Sequence, residues 1–256
     1  MILLAETCTG RCWNPAITAG QYGAIAGILA GFSFTAMVTV IGRLPDEAQR
    51  RIGTERTLVI LLASFINLIS VAVLYSVLAG EQSVKRAASE EVFASAAVAP
   101  AIAMLLFGLV QFIEVQSGSL TARAFRLIVG LVLPFIGLIF VGLVLGEVRY
   151  LAPRSSGYVL VGILQWASPV LFLVGAAVMW WRRPRFSQLA ILRRRLPYLS
   201  MLHVLIAGLL FSWIWASGPD ILLPSLVIAL LQLVLLAAAL LFTMLLVSSD
   251  DEYAAK

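Results

Sequence analysis

The sequence predicts an all-α protein, a polytopic transmembrane bundle of about seven helices. Hydrophobic residues make up 61% of the chain, charged residues only 12%, and the mean hydropathy is +1.01. Soluble domains are roughly 45 to 50% apolar and about 25% charged. The charges fall in short clusters that separate long uncharged runs, and about 20 residues of helix cross the ~30 Å hydrocarbon layer while satisfying their own backbone. The alternating pattern of a transmembrane barrel does not occur in the sequence.

The uncharged runs give approximate bounds for the seven expected spans. In chain order they are 20–42, 57–79, 92–116, 127–146, 157–181, 198–217 and 221–247. The connections, at most about 15 residues long, are too short to fold as separate catalytic or ligand-binding domains. We therefore expect one transmembrane domain over 1–256, with a short extracellular segment (1–19), an Arg-rich cytoplasmic loop (182–197) and an acidic cytoplasmic tail (248–256).

The distribution of basic residues predicts the orientation, because Lys and Arg are held on the cytoplasmic side during insertion. The alternate segments that would be cytoplasmic carry 13 Lys and Arg, and the others carry 5. In this arrangement eleven of the twelve Trp and Tyr residues fall near an interface, which these side chains favour. We expect the N-terminus outside and the C-terminus inside. The short link 217–220 is the weakest boundary, because a re-entrant hairpin there would change the helix count without changing the orientation.

Amino-acid usage indicates the source and the location. Arg outnumbers Lys by 16 to 2 in a chain rich in Ala, Gly, Val and Leu, which is typical of a GC-rich bacterial genome. We therefore expect a multi-pass protein of a bacterial cell (plasma) membrane.

The first span has the most regular pattern, a stripe of small residues spaced four apart. It comprises Ala19, Gly23, Gly27, Gly31 and Thr35. Small residues allow another helix to approach closely. The favoured interpretation is packing against a neighbouring span of the same chain, and the alternative is a seam between copies or with a membrane protein partner.

Interior prolines and polar residues at bilayer depth are the features that could shape a substrate path. Spans three, four and five contain Pro100, Pro134 and Pro169, each of which removes a helix hydrogen bond and bends the helix. Three deeply placed amides could line a polar cavity, and they are Asn67, Gln165 and Gln232. Hydrogen bonding between helices is the simpler interpretation of these amides.

Ionisable groups inside a membrane usually mark ion or proton pathways, and the predicted spans contain few. Glu114 and His203 both fall toward the cytoplasmic ends of their spans. They could form a pH-sensitive pair, although an interfacial acid and a packed histidine are the commoner roles. This scarcity disfavours proton-coupled transport and metal chemistry.

Two further features lie outside the spans. Cys8 and Cys12, on the expected outer side, could close a small disulfide loop or, less readily, contribute two metal ligands. The loop 182–197 contains no acid and six arginines, Arg182, Arg183, Arg185, Arg193, Arg194 and Arg195. Anionic lipid at the cytoplasmic face is the expected partner of this loop, with a cytoplasmic protein or a phosphoryl ligand as alternatives.

Several function classes are disfavoured by what the sequence lacks. Residues 221–249 contain no lysine for a retinal Schiff base, the chain has one histidine, and no nucleotide-binding motif occurs. We therefore expect no enzyme, no cofactor, no metal and no nucleic-acid partner. The favoured hypothesis is a small transporter or channel-like protein. The alternative is a non-transporting scaffold, accessory subunit or sensor that binds partner proteins through its helices.

Overall fold

A computed structural model describes residues 15–42, 48–116 and 190–218, together with nine single positions. In this part of the chain the structure contains four helices and no strand. The helices are α1 (Pro15–Ile41), α2 (Ala48–Ala79), α3 (Val84–Gln116) and α4 (Ala190–Ala216). The nine single positions, at 128, 129, 163, 167, 170, 174, 227, 230 and 234, are also helical.

All four helices are long and apolar enough to cross a membrane. The apolar segments are Ala16–Ile41, Gly53–Ala79, Lys85–Ile113 and Arg195–Ala216. They match predicted spans one, two, three and six, so the described residues are all-helical as predicted, and these four segments are long and apolar enough to span a membrane. Predicted spans 127–146, 157–181 and 221–247 lie outside the described residues except for the single positions. The count of seven and the orientation stay predictions.

Three helices begin well before the spans predicted from charge. α2, α3 and α4 start at Ala48, Val84 and Ala190, whereas the predicted spans start at 57, 92 and 198. The predictions stopped at charged residues, but a helix can extend beyond the hydrocarbon layer, where charged side chains reach water or headgroups. The first turns of α4 therefore occupy the second half of the predicted loop 182–197.

The packing face of α1 is a stripe of mostly small residues that contacts α2. Its buried positions alternate three and four apart, and they are Ala16, Ala19, Gly23, Ala26, Ala30, Ser33, Met37 and Val40. This spacing keeps one face of a helix against a neighbour. Edge-to-face packing of Tyr22 on Tyr75 and the contact of Phe34 with Phe65, at centroid distances of 5.4 and 5.8 Å, show that α1 and α2 are antiparallel.

α3 lies in the centre of the described bundle and contacts the other three helices. Gly108 lets α3 approach α2 so closely that a Cβ atom there would lie 2.8 Å from Leu61 Cδ2. α4 runs antiparallel to α3, since His203 contacts Ala96 while Leu196 packs in one cluster with Phe107. This relative direction is the one expected when two spans separate α3 and α4 in the chain.

Candidate functional site

The middle of the bundle contains a carbonyl group that a proline leaves without its helical partner. Pro100 lies at the centre of the apolar segment Lys85–Ile113 and has no N–H to donate to the carbonyl four residues earlier, that of Ala96. His203 of α4 fills this place, with its Nε2 atom 3.0 Å from the Ala96 oxygen. A carbonyl only accepts hydrogen bonds, so Nε2 carries the hydrogen, and in the neutral ring Nδ1 is the acceptor.

A second polar contact joins α4 to α2 one turn away from His203. The Ser200 hydroxyl donates to the Pro197 carbonyl at 2.8 Å, and Asn67 Nδ2 lies 3.1 Å from the same hydroxyl oxygen. Since the single hydroxyl hydrogen is committed to Pro197, the amide atom that contacts Ser200 has to be the donating nitrogen. The Asn67 side chain is therefore oriented with its oxygen away from Ser200.

Two buried polar atoms of α2 have no hydrogen-bond partner among the described residues. Asn67 is 1% exposed and Ser64 is 0% exposed, and within the described part of the chain neither Asn67 Oδ1 nor Ser64 Oγ makes a hydrogen bond. An unpaired polar atom in a dry interior costs about 1 to 3 kcal/mol. Such atoms are rare in folded proteins, and water or a ligand often accounts for them.

We call this group the midplane polar junction, and it comprises Ser64, Asn67, Ser200, His203 and the Ala96 carbonyl. Asn67 lies at the centre of Gly53–Ala79, and His203 lies close to the centre of Arg195–Ala216. The junction therefore combines residues of three helices. Among the described residues, its acceptor Asn67 Oδ1 and its hydroxyl Ser64 Oγ have no partner, at the middle of the apolar segments. These groups can hydrogen-bond a water molecule or a small polar solute.

Comparison with protein-family models, with curated proteins and with solved structures gives no match. The function therefore has to be argued from the side chains.

A second polar group lies where α3 begins and is called here the α3 acidic cluster; it comprises Glu81, Arg86, Glu90 and Glu91. Ser83 caps α3, since its hydroxyl accepts the Arg86 N–H at 3.4 Å, and Glu81 in turn accepts the Ser83 N–H at 2.8 Å. The Arg86 guanidinium lies against Glu81, at 2.5 Å from Nη2 and 2.6 Å from Nε to Oε2. The start of the helix thus fixes this ion pair beside the bundle.

Glu90 is the member of the cluster whose negative charge is least compensated by nearby partners. It is 0% exposed, and neither carboxylate oxygen accepts a hydrogen bond from the described residues. Its contact with Arg86 is long, at 3.8 Å from Nε to Oε1. Glu91, the next residue on α3, is 2% exposed.

The sequence interpretation missed these two acids. Span three was predicted to start at residue 92, whereas the apolar segment of the structure starts at Lys85 and includes Glu90 and Glu91. The apolar segment of α3 thus adds Glu90 and Glu91 to the ionisable groups, Glu114 and His203, that the sequence placed in the spans. An available signal was the run of small residues on both sides of the two acids, Ala87, Ala88 and Ser89 before and Ala94 to Ala97 after, which extends the helical pattern through them.

The structure does not bring Glu114 and His203 together. His203 contacts the Ala96 carbonyl, and Glu114 lies about 27 Å farther along the same helix by its rise per residue. A pH-sensitive pair would require the two side chains to be neighbours. His203 instead contacts the Ala96 carbonyl, which Pro100 leaves without its helical partner.

The glycine stripe of α1 divides into a packed part and an open part. Gly23 is buried, and a Cβ atom there would lie 3.4 Å from Tyr75 Cβ. Gly27 and Gly31 are exposed, with nothing described within 4 Å of their Cβ positions. Four residues turn a helix by about 400°, so each step moves the stripe roughly 40° away from α2. Packing at Gly27 and Gly31, against another span of the same chain or between copies, stays a prediction.

The remaining predicted site residues are described only in part. Gln165, Gln232, Cys8, Cys12, Arg182, Arg183 and Arg185 lie outside the described residues. Arg193, Arg194 and Arg195 belong to the first two turns of α4, and Arg195 is exposed.

Proposed function

We propose that this chain is a small transporter or channel-like protein of a bacterial plasma membrane, with its N-terminus outside and its C-terminus inside. The single observation that carries the proposal is the pair of polar atoms, Asn67 Oδ1 and Ser64 Oγ, that have no partner among the described residues and lie at the middle of an apolar segment long enough to span a membrane. A protein that only needs stability has no use for such atoms, because an apolar side chain of similar size packs there without the cost.

The surrounding architecture supports a path for a small polar solute. Pro100 of α3, the Ala96 carbonyl that it leaves open and the polar side chains of α4 meet near the same depth. Non-helical hydrogen-bonding groups at membrane depth are tolerated where they are buried in protein or line a water-filled cavity. The junction offers an acceptor and a hydroxyl, which suit an uncharged solute with both donors and acceptors.

Solute flux into proteoliposomes tests this proposal. Purified protein should raise the rate of osmotic swelling above that of protein-free liposomes for at least one of a panel of small neutral solutes, such as urea, glycerol and small polyols. Asn67→Leu should reduce this flux roughly five- to tenfold, the effect of losing one hydrogen bond of about 1 to 1.4 kcal/mol.

Ser76→Ala is the matched control, since Ser76 is an exposed residue of α2 whose hydroxyl bonds within its own helix. This variant should retain the wild-type flux. Flux no greater than that of empty liposomes for the whole panel, or an Asn67→Leu variant as active as the wild type, would contradict the proposal.

The open part of the glycine stripe favours the second candidate function, a scaffold or accessory subunit that binds partners through its helices. Gly27 and Gly31 are exposed on α1, and no described atom lies within 4 Å of their Cβ positions, so a second helix could approach closely there. In a background with Cys8 and Cys12 replaced by Ser, Gly31→Cys should form a crosslinked dimer if copies of the chain associate there. Ser33→Cys is the control, since Ser33 is buried against α2, and equal crosslinking of both variants would reject a specific seam.

A further inference from the structure

Glu81 and Glu90 together have more negative charge than the one guanidinium of Arg86, which contacts both, can balance. Arg86 makes its short contacts with Glu81 and reaches Glu90 only at 3.8 Å. Glu81 and Arg86 are two charged side chains that act on Glu90. Two carboxylates and one guanidinium leave one negative charge over, and the more deeply buried carboxylate is Glu90.

The position of Glu90 makes this imbalance functionally informative. The residue lies about 7.5 Å into the apolar segment that begins at Lys85, by helix rise. Among the described residues no donor hydrogen-bonds the Glu90 carboxylate, and a charge buried in this way is stabilised by a bound cation or removed by a bound proton. Ionisable groups at such positions in membrane proteins are rare and mark ion pathways.

We propose that Glu90 is a binding site for a small monovalent cation, a proton or an alkali metal ion, that enters from the N-terminal end of α3 and accompanies transport. This inference rests on the proposed function, because it makes the cation a co-substrate of that transport. A divalent ion fits poorly, because Arg86 already brings one positive charge close to the carboxylate. The described residues also hold no group of three or more His, Cys, Asp or Glu side chains that could hold a metal ion.

Thermal unfolding of the full chain in lipid nanodiscs, at constant ionic strength, measures this binding without any flux. Sodium or potassium chloride replaces choline chloride in one arm, and the pH is varied in choline chloride in the other. When the cation is at about a hundred times its dissociation constant, the unfolding midpoint of the wild type should rise by roughly 5 to 10 °C. Glu90→Gln should lose this rise.

The two arms separate the two cations. A response to sodium or potassium that Glu90→Gln removes identifies an alkali ion, and a response to pH alone that Glu90→Gln removes identifies a proton. Glu55→Gln is the matched control, since Glu55 is an exposed residue of α2 that does not belong to the α3 acidic cluster. This variant should respond like the wild type. The proposal is overturned if the wild type shows neither response, or if Glu90→Gln retains the responses of the wild type.

Arg86→Gln provides a second variant in case Glu90→Gln does not fold. Removal of the competing guanidinium should strengthen cation binding, so half of the stabilisation should occur at a severalfold lower cation concentration. An unchanged or higher half-point overturns the proposal. A chain that binds the cation but passes no solute refutes the proposed function alone, whereas a chain that passes solute without a cation response refutes this inference alone.

Discussion

The contact between His203 and the Ala96 carbonyl leads to a quantitative prediction about proline and histidine together. If His203 satisfies the carbonyl that Pro100 leaves open, His203→Leu should destabilise the protein, because leucine keeps the volume but has no donor. A buried carbonyl that loses its partner costs about 1 to 3 kcal/mol, and polar contacts between membrane helices are worth about 0.6 to 1.7 kcal/mol. We expect a loss of about 1 to 2 kcal/mol.

The cost should depend on Pro100. Pro100→Ala provides a backbone N–H that can bond to the Ala96 carbonyl, so His203→Leu in this background should cost less than about 0.5 kcal/mol. The coupling energy of this double-mutant cycle is thus about 1 kcal/mol, within the range for residues that share a partner. The measurement is reversible unfolding of the four proteins in mixed micelles by a denaturing detergent.

Equal costs of His203→Leu in both backgrounds would refute the assigned role of His203. Nitrogen NMR of the histidine ring gives an independent check, because the contact requires the hydrogen on Nε2. A neutral ring with its hydrogen on Nδ1 would also contradict it.

Two further predictions concern packing and polar contacts. Gly108→Val should cost about 1 to 3 kcal/mol of stability, because the new side chain overlaps Leu61 Cδ2. Gly31→Val, with no described atom within 4 Å of its Cβ position, should change stability by no more than about 0.5 kcal/mol. Similar losses in both variants would show that α2 and α3 are not closely packed at Gly108. Asn67→Ala and Ser200→Ala should each cost about 0.6 to 2 kcal/mol, and the double variant should cost clearly less than their sum. Additive losses would mean that the hydrogen bond of 3.1 Å between Asn67 and Ser200 does not contribute to stability.

Hydropathy alone identified the helical class and the four described spans, because the membrane leaves a helix few alternatives. The ends of the helices were less predictable. Charged residues marked the predicted bounds, but α3 continues through Lys85 and Arg86 to Val84, and this difference concealed Glu90. A boundary rule based on charge removes from a span the very residues that matter most for ion binding.

Contacts between distant parts of the chain could not be derived from the pattern of one sequence. Pro100 and His203 were each singled out, but nothing in their spacing indicated that one supplies the partner that the other removes. The same holds for Asn67, whose interhelical bond was expected but whose partner Ser200 was not. The sequence shows the regular spacing of Gly27 and Gly31. A four-residue repeat rotates gradually around the helix, which explains why these two glycines lie away from the contact with α2.

The most direct test of the central claim is whether water reaches the midplane polar junction. In a background without Cys8 and Cys12, Ser64→Cys and Ser200→Cys should react with a small, uncharged, water-soluble thiol reagent, since the reactive thiolate forms only where water has access. Gln82→Cys, at an exposed position in the connection between α2 and α3, is the positive control, and Leu68→Cys, in the apolar cluster, is the negative one. A transport path predicts labelling of Ser64→Cys and Ser200→Cys roughly tenfold or more faster than of Leu68→Cys. Labelling of both as slow as that of Leu68→Cys, with Gln82→Cys reacting normally, would show that the junction only packs the helices.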